Sequence, residues 1–355
     1  LKTFIDFDLD KKFKINNVLY ETNGEAIYLE LLTKKNGVIS NYFPEYDQKI
    51  FLKNTNIKFK NFKSEQNLKL DGLIKKGIKF DSFKLENNYN YEKKTFDIKG
   101  DFDLTNSIVK VSKLNYIKNK EKKSSILFNL KFILNKYYKL EKLNFTEGNT
   151  KIFLSKLHLS KNFLINNFSK IKIKTFNDKF KNNDFSIDKS NKVLISGQIF
   201  DSEPLLQSLY SEDDKNTFSK NFKSKIKINF KKVLTGTDDN VLNFSMIAMI
   251  NKGSYENLSL KGNFTTNEIV EMTIYPGTEG KKILQVISDR ARPFIKNFNF
   301  IEGFDGGKLE YEAIITKTGS DSNLLITDFK VSKVPVLAKL LTLASLRGIA
   351  DTLSG

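Results

Sequence analysis

Cysteine and tryptophan are absent from this 355-residue chain, histidine occurs once, and arginine stands only at 290, 292 and 347. Without cysteine there are no disulfides, no thiolate metal sites and no cysteine nucleophile. The absence fits an oxidising compartment, where stray thiols are a liability. No run of about 18 or more apolar residues occurs, so nothing in these residues spans a bilayer as a helix. A signal-peptide pattern is missing too. The chain opens at Leu1 without methionine and stops after Gly355, and we read it as a fragment of a longer protein, outside which any membrane anchor would lie. Hydrophobic residues make up 39% and charged residues 28%, so apolar positions must be spent one face at a time.

What is abundant is lysine, phenylalanine and asparagine. The net charge of +18 is almost wholly lysine. One reading is attraction to an anionic partner such as lipid head groups or a polyanion. The other is a compositional bias, with lysine serving as the soluble face and edge guard of strands. Nucleic-acid readers lean on arginine forks for base edges and phosphates, so no nucleic-acid partner is expected.

Alternation of apolar and polar residues dominates the chain and predicts strands. Ile5, Phe7 and Leu9 alternate with Asp6, Asp8 and Asp10, and similar runs follow near 12–20, 26–32, 50–59, 67–74, 78–85, 95–104 and 107–117. They continue near 125–134, 140–145, 150–159 and 163–176. A polar stretch at 177–191 is the expected internal boundary, dividing a β-rich groove segment (1–180) from a second β module (181–355). Within the second module helices are expected near 203–222, where Ser202 can cap and Pro204 sits in the first turn, and near 281–292, ended by Pro293. A third is expected at 335–353, opened by Pro335, with Leu337, Leu340, Leu341, Ala344 and Ile349 forming one apolar stripe.

One pattern recurs four times. An apolar–x–apolar–x–Gly–x–apolar run occurs as Leu68, Leu70, Gly72, Ile74; as Phe96, Ile98, Gly100, Phe102; as Val193, Ile195, Gly197, Ile199; and as Leu258, Leu260, Gly262, Phe264. In each the glycine shares the parity of the apolar residues and so lies on the apolar face. Glycine there suits a strand that bends, bulges or lets a body lie close. Roughly eighteen strands joined by short turns imply an antiparallel meander on the order of 80–90 Å long as a single sheet. A sheet of that length twists, and folded over lengthwise it becomes a half-barrel-like trough with an apolar inside and the 335–353 helix as a cap. Two ordinary β-sandwiches satisfy the same periodicity.

Residues suited to catalysis are scattered. His158 lies on the polar side of its strand, without motif partners for a triad. Asp6, Asp8 and Asp10 lack the glycine and distal glutamate of a calcium loop. Asp213-Asp214 and Asp238-Asp239 read as solubility. The Gly303 and Gly306-Gly307 group precedes a strand, not a helix, and has no following Lys-Ser/Thr, so it is no phosphate cradle. A non-enzymatic protein without cofactor or metal is expected.

The closing residues carry a resemblance. Gly306-Gly307-Lys308-Leu309, the strand at 324–331, Val334-Pro335-Val336-Leu337-Ala338-Lys339-Leu340-Leu341 and Ala344-Ser345-Leu346-Arg347-Gly348-Ile349 resemble the AsmA-like C-terminal region, most closely its YhdP branch. Ile195-Ser196-Gly197-Gln198-Ile199-Phe200-Asp201 is similar in the same way. The resemblance covers about residues 192–355; the first 180 share only its character. It implies the periplasmic part of an inner-membrane-anchored protein of a Gram-negative bacterium. Its β-groove would carry phospholipid acyl chains between the inner and outer membranes and support the outer-membrane permeability barrier. The groove lining would then be the twelve apolar residues of the fourfold pattern. A factor that receives unfolded outer-membrane proteins by strand addition, and a plain β-scaffold with a filled core, are the alternatives.

Overall fold

The computed structural model describes residues 2–331 except 34–36, 47, 76–78, 178–179, 209–220, 253, 296–303 and 317–318. The chain is mainly β, 71% strand, and twenty strands belong to one mixed sheet that does not close. It divides into two compact units, Leu1–Ser112 with Tyr116–Phe163, and Lys113–Asn115 with Leu164–Gly355.

Unit 1 opens with β1 (Lys2–Leu9), β2 (Ile15–Leu32), a short helix α1 (Gly37–Tyr42), β3 (Lys49–Phe62), β4 (Glu65–Lys75), β5 (Phe80–Asn90) and β6 (Thr95–Asp103). A two-stranded insertion follows, β7 (Val109–Val111) and β8 (Tyr116–Lys118). The main sheet then resumes with β9 (Ser124–Ile133), β10 (Tyr137–Glu147) and β11 (Thr150–Ser160). Each strand pairs antiparallel with its neighbour, β6 with β9 across the insertion. Tight hairpin turns explain the meander. They carry left-handed residues, among them Phe13 (φ 59°), Lys63 (φ 50°), Lys94 (φ 51°) and Asn135 (φ 58°), a conformation that asparagine tolerates better than most residues.

Unit 2 contains β12 (Ile165–Asn167), β13 (Lys170–Asn177), β14 (Phe180–Lys189), β15 (Val193–Asp201), α2 (Glu203–Ser208), β16 (Ser224–Leu234) and β17 (Val241–Asn251). Then come β18 (Ser254–Asn263), β19 (Ile269–Pro276), β20 (Lys282–Ser288), α3 (Arg292–Ile295), β21 (Phe304–Ile315) and β22 (Ser320–Val331). The pure antiparallel expectation fails at β15 and β16, which run parallel. Their connection is long and begins with α2, so the chain crosses back to the end where β15 began, which a hairpin turn cannot do.

Further expectations change. The polar stretch 177–191 contains strand β14, and two of its four asparagines are buried: Asn183 is 0% and Asn182 4% exposed. Asn183 donates to the Leu114 carbonyl at 2.8 Å and to Thr175 Oγ1 at 3.0 Å, while its Oδ1 accepts the Asp201 N–H at 3.0 Å. The helix expected at 281–292 is mostly strand β20, with Leu284 0% and Val286 3% exposed between β19 and β21. The run 107–117 is no single strand; it is β7, a 3-10 turn and the start of β8. Of the helix expected at 203–222, α2 supplies Glu203–Ser208, and the described residues 221–222 are not helical. The 335–353 helix, with Leu337, Leu340, Leu341, Ala344 and Ile349, lies outside the described residues, as does Asp213-Asp214.

Candidate functional site

In unit 1 the strand registers assemble the first two pattern runs into rows that cross the sheet. Leu70 stands beside Ile57 and Leu85, Leu85 beside Gly100, and Gly100 beside Phe128. One step along, Ile98 pairs with Leu130, and Leu130 with Leu140. A third row is aromatic: Tyr91, Tyr89, Phe96, Phe132, Tyr138 and Phe163 follow one another with ring centroids 5.0, 4.4, 4.8, 5.6 and 4.6 Å apart. Parity places all of these on one face.

The other face of the same strands is polar. Lys69 pairs with Glu86 at 3.1 Å, Lys84 with Asp71 at 3.5 Å and Lys131 with Asp97 at 3.2 Å, all between neighbouring strands. The Lys69 ammonium holds the Glu86 carboxyl below its usual range, chiefly through its hydrogen bond. Cross-strand ion pairs of this kind suit a face that stays in water.

Burial is uneven along the apolar face. At one end Leu52 and Phe83 are each 3% exposed and Phe145 is 3% exposed. That end lies against the insertion, whose Leu104, Val109 and Tyr116 are buried, with the Tyr116 ring 6.0 Å from Phe145. Lys118 fastens the insertion. It is wholly buried, and its ammonium donates to the carbonyls of Thr105 at 2.8 Å and Ser107 at 2.7 Å and to that of Leu104. Burial depresses its pKa against the pull of Asp81, Glu147 and Asp103. Asp81 in turn accepts the Asn106 N–H at 3.1 Å and its Nδ2 at 2.8 Å. Away from this end Leu68, Leu70, Phe96 and Ile98 are only part-buried, and Ile74 and Phe102, which stand beside Leu52 and Phe83 at the closed end, also keep some solvent exposure.

Unit 2 treats its pattern residues differently. Val193 is 3%, Leu258 5% and Phe264 8% exposed. Ile195 packs on a core cluster that includes Phe185, Phe230, Val233, Val241, Phe264 and Val270. Ile199 and Leu260 are part-buried. The twelve pattern residues therefore fall into an open set in unit 1 and a mostly packed set in unit 2.

The four glycines make room for neighbouring strands. A Cβ on Gly72 would stand 2.6 Å from the Thr55 Cα. One on Gly197 would meet the Asp184 carbonyl and the Phe185 side chain, one on Gly262 the Val241 side chain, and one on Gly100 the Phe128 ring. Three of the four lie at β-bulges: between Lys53 and Asn56, between Asp184 and Phe185, and between Leu242 and Ser245. A bulge bends its strand and sharpens the local twist, so glycine on the apolar face marks where the sheet bends.

His158 stands opposite Lys139 on the polar face. Asp10 accepts the backbone N–H groups of Lys12 and Lys14, and Asp8 accepts from Asn17, so both serve the β1–β2 turn. Asp239 and Glu268 pair with Arg290 at 3.6 and 2.8 Å, and Asp238 with Arg292 at 3.9 Å. Among the described residues no group of three or more His, Cys, Asp or Glu is placed to hold a metal ion. Sequence reasoning missed the insertion and the aromatic row. The row's signal was present as aromatics two or three residues from successive hairpin turns. Comparison with family models, with curated proteins and with solved structures finds no match for this chain.

Proposed function

We propose that the chain holds acyl chains of phospholipid on the apolar face of unit 1, as part of a conduit that passes lipid between the inner and outer membranes across the periplasm. One observation carries this reading: a row-ordered apolar face in unit 1 stays part-exposed while the opposite face is laced with ion pairs. Every acyl methylene removed from water there gains about 0.8 kcal/mol. A trough curled from this sheet would keep tails dry and head groups wet at its edge. Passage along it needs no chemical step, only near-equal affinity at successive rows. The resemblance of residues 192–355 to the AsmA-like region supports the same reading.

The test is lipid content. The purified full chain is expected to carry phospholipid detectable by mass spectrometry, and a photocrosslinker at Ile98 or Leu130 is expected to label lipid. Absence of both outcomes sinks the proposal. A second reading, capture of an unfolded strand, is favoured by β1, which pairs only with β2 among the described residues and whose eight residues are all exposed. Crosslinks from β1 to outer-membrane polypeptides in cells would favour it over the first.

A further inference from the structure

The hairpin turns at one end of unit 1 share a composition of lysine beside a large apolar side chain. Phe13, 85% exposed, caps the β1–β2 turn between Lys12 and Lys14. Phe62, 39% exposed, stands beside Lys63 at the β3–β4 turn, and Tyr91, 43% exposed, is followed by Lys93 and Lys94 at the β5–β6 turn. Leu134, 61% exposed, precedes Lys136 at the β9–β10 turn, and Phe163, 45% exposed, follows Lys161 after β11.

The register brings these turns to the same end. Leu19 pairs with Phe62, Glu65 with Asn90, Phe96 with Phe132 and Tyr137 with Ser160. Direct contacts join some of them: the Tyr91 N–H donates to the Ser64 carbonyl at 2.8 Å and its hydroxyl to Asn61 at 2.7 Å.

Folding does not explain this arrangement. Phe13, 85% exposed, and Leu134, 61% exposed, bury little of their surface, and the flanking lysines form no ion pair among the described residues. The boundary of an anionic bilayer satisfies both features at once. Aromatic and leucyl side chains settle at head-group depth while ammonium groups meet lipid phosphates. A nucleic acid would satisfy only the charge, and unit 1 contains no arginine to fork a phosphate or a base edge.

We propose that this end of unit 1 is a docking rim for an anionic membrane surface, with Phe13 and Leu134 entering the head-group layer and the adjacent lysines neutralising phosphates. It does not rest on acyl-chain binding, since the rim would dock even if the apolar face were filled.

Vesicle flotation with the full chain tests it. The protein is expected to float with phosphatidylcholine vesicles containing about 30% phosphatidylglycerol at low salt, and to stay behind with pure phosphatidylcholine. Replacing Lys12, Lys14 and Lys136 with glutamine is expected to weaken partitioning on the order of 100-fold. The pair Phe13→Ser and Leu134→Ser, which leaves net charge unchanged, is expected to weaken it about tenfold or more. All five positions are exposed, and circular dichroism checks that the fold persists. Equal flotation on both vesicle types overturns the proposal. So does unchanged flotation of the serine pair, or tighter binding to single-stranded DNA than to the vesicles. Ile98→Asp is expected to float normally, which separates failure of docking from failure of acyl-chain binding.

Discussion

The Phe128 ring lies over Gly100, so that a Cβ on the glycine would stand under 3.0 Å from the ring. Gly197 is tighter still in kind, because one of the atoms it faces is backbone, the Asp184 carbonyl. A ring can turn aside and a carbonyl in a sheet cannot. Gly197→Ala is therefore expected to destabilise the protein by about 1–3 kcal/mol and Gly100→Ala by less. Urea midpoints measure both, and equal midpoints for wild type and Gly197→Ala would refute the packing account of these glycines.

Lys118 offers a test of what closes the end of the unit 1 face. Its side chain is fully buried and donates to three backbone carbonyls of the insertion. Methionine there keeps much of the stem and removes every donor, leaving buried acceptors without partners. A loss of about 3 kcal/mol is expected. Hydrogen exchange is expected to rise first in residues 104–118, and exchange that rises evenly through unit 1 would show the insertion is not a separate fastening.

These two cases also show where sequence reading stops. The strands of unit 1 and the apolar parity of Leu68, Leu70, Ile98 and Phe102 were legible because alternation is local. The glycine positions were legible too, but not their cause, since the bulge opposite Gly72 lies in another strand. Lys282-Ile283-Leu284-Gln285-Val286-Ile287 places apolar residues at steps that fit a helical stripe as well as a strand. Pairing on both sides by β19 and β21 decides it, and no local signal carries that. Asn182 and Asn183 look like linker residues until Leu114, Thr175 and Asp201 are seen around them.

His158 gives a pH readout of the polar face. Burial pushes its imidazole pKa below the ordinary 6.5, and the facing Lys139 ammonium and Lys156 push the same way against Glu141. The unfolded chain thus takes up this proton first as pH falls, so stability from this site is present above pH 6.5 and declines as pH drops through the window beneath it. As the only histidine, its ring resonance can be followed singly by NMR. Lys139→Gln is expected to raise the midpoint, and a midpoint at or above 6.5 in the wild type would contradict the placement.

The division of the pattern residues into an open and a packed set makes the sharpest prediction. Ile98 is part-buried on a face that the described residues of unit 1 leave partly exposed, whereas Leu258 is 5% exposed within unit 2. A carboxylate at Ile98 keeps access to water, so Ile98→Asp is expected to fold with a loss of about 1–2 kcal/mol, most of it the forfeited apolar contact. At Leu258 the same change buries a charge without a partner, a cost large enough to remove the folded state of unit 2. Ile195 sits between these cases because it packs on the core cluster of Phe185 and Phe230, which makes it a poor probe of ligand binding. Thermal melts and phospholipid content of the two variants decide the matter together. Folded Ile98→Asp protein that has lost its lipid, beside unfolded Leu258→Asp, is the expected pair of results. An Ile98→Asp protein that unfolds as Leu258→Asp does would mean that the unit 1 face is packed from within and has no room for a tail.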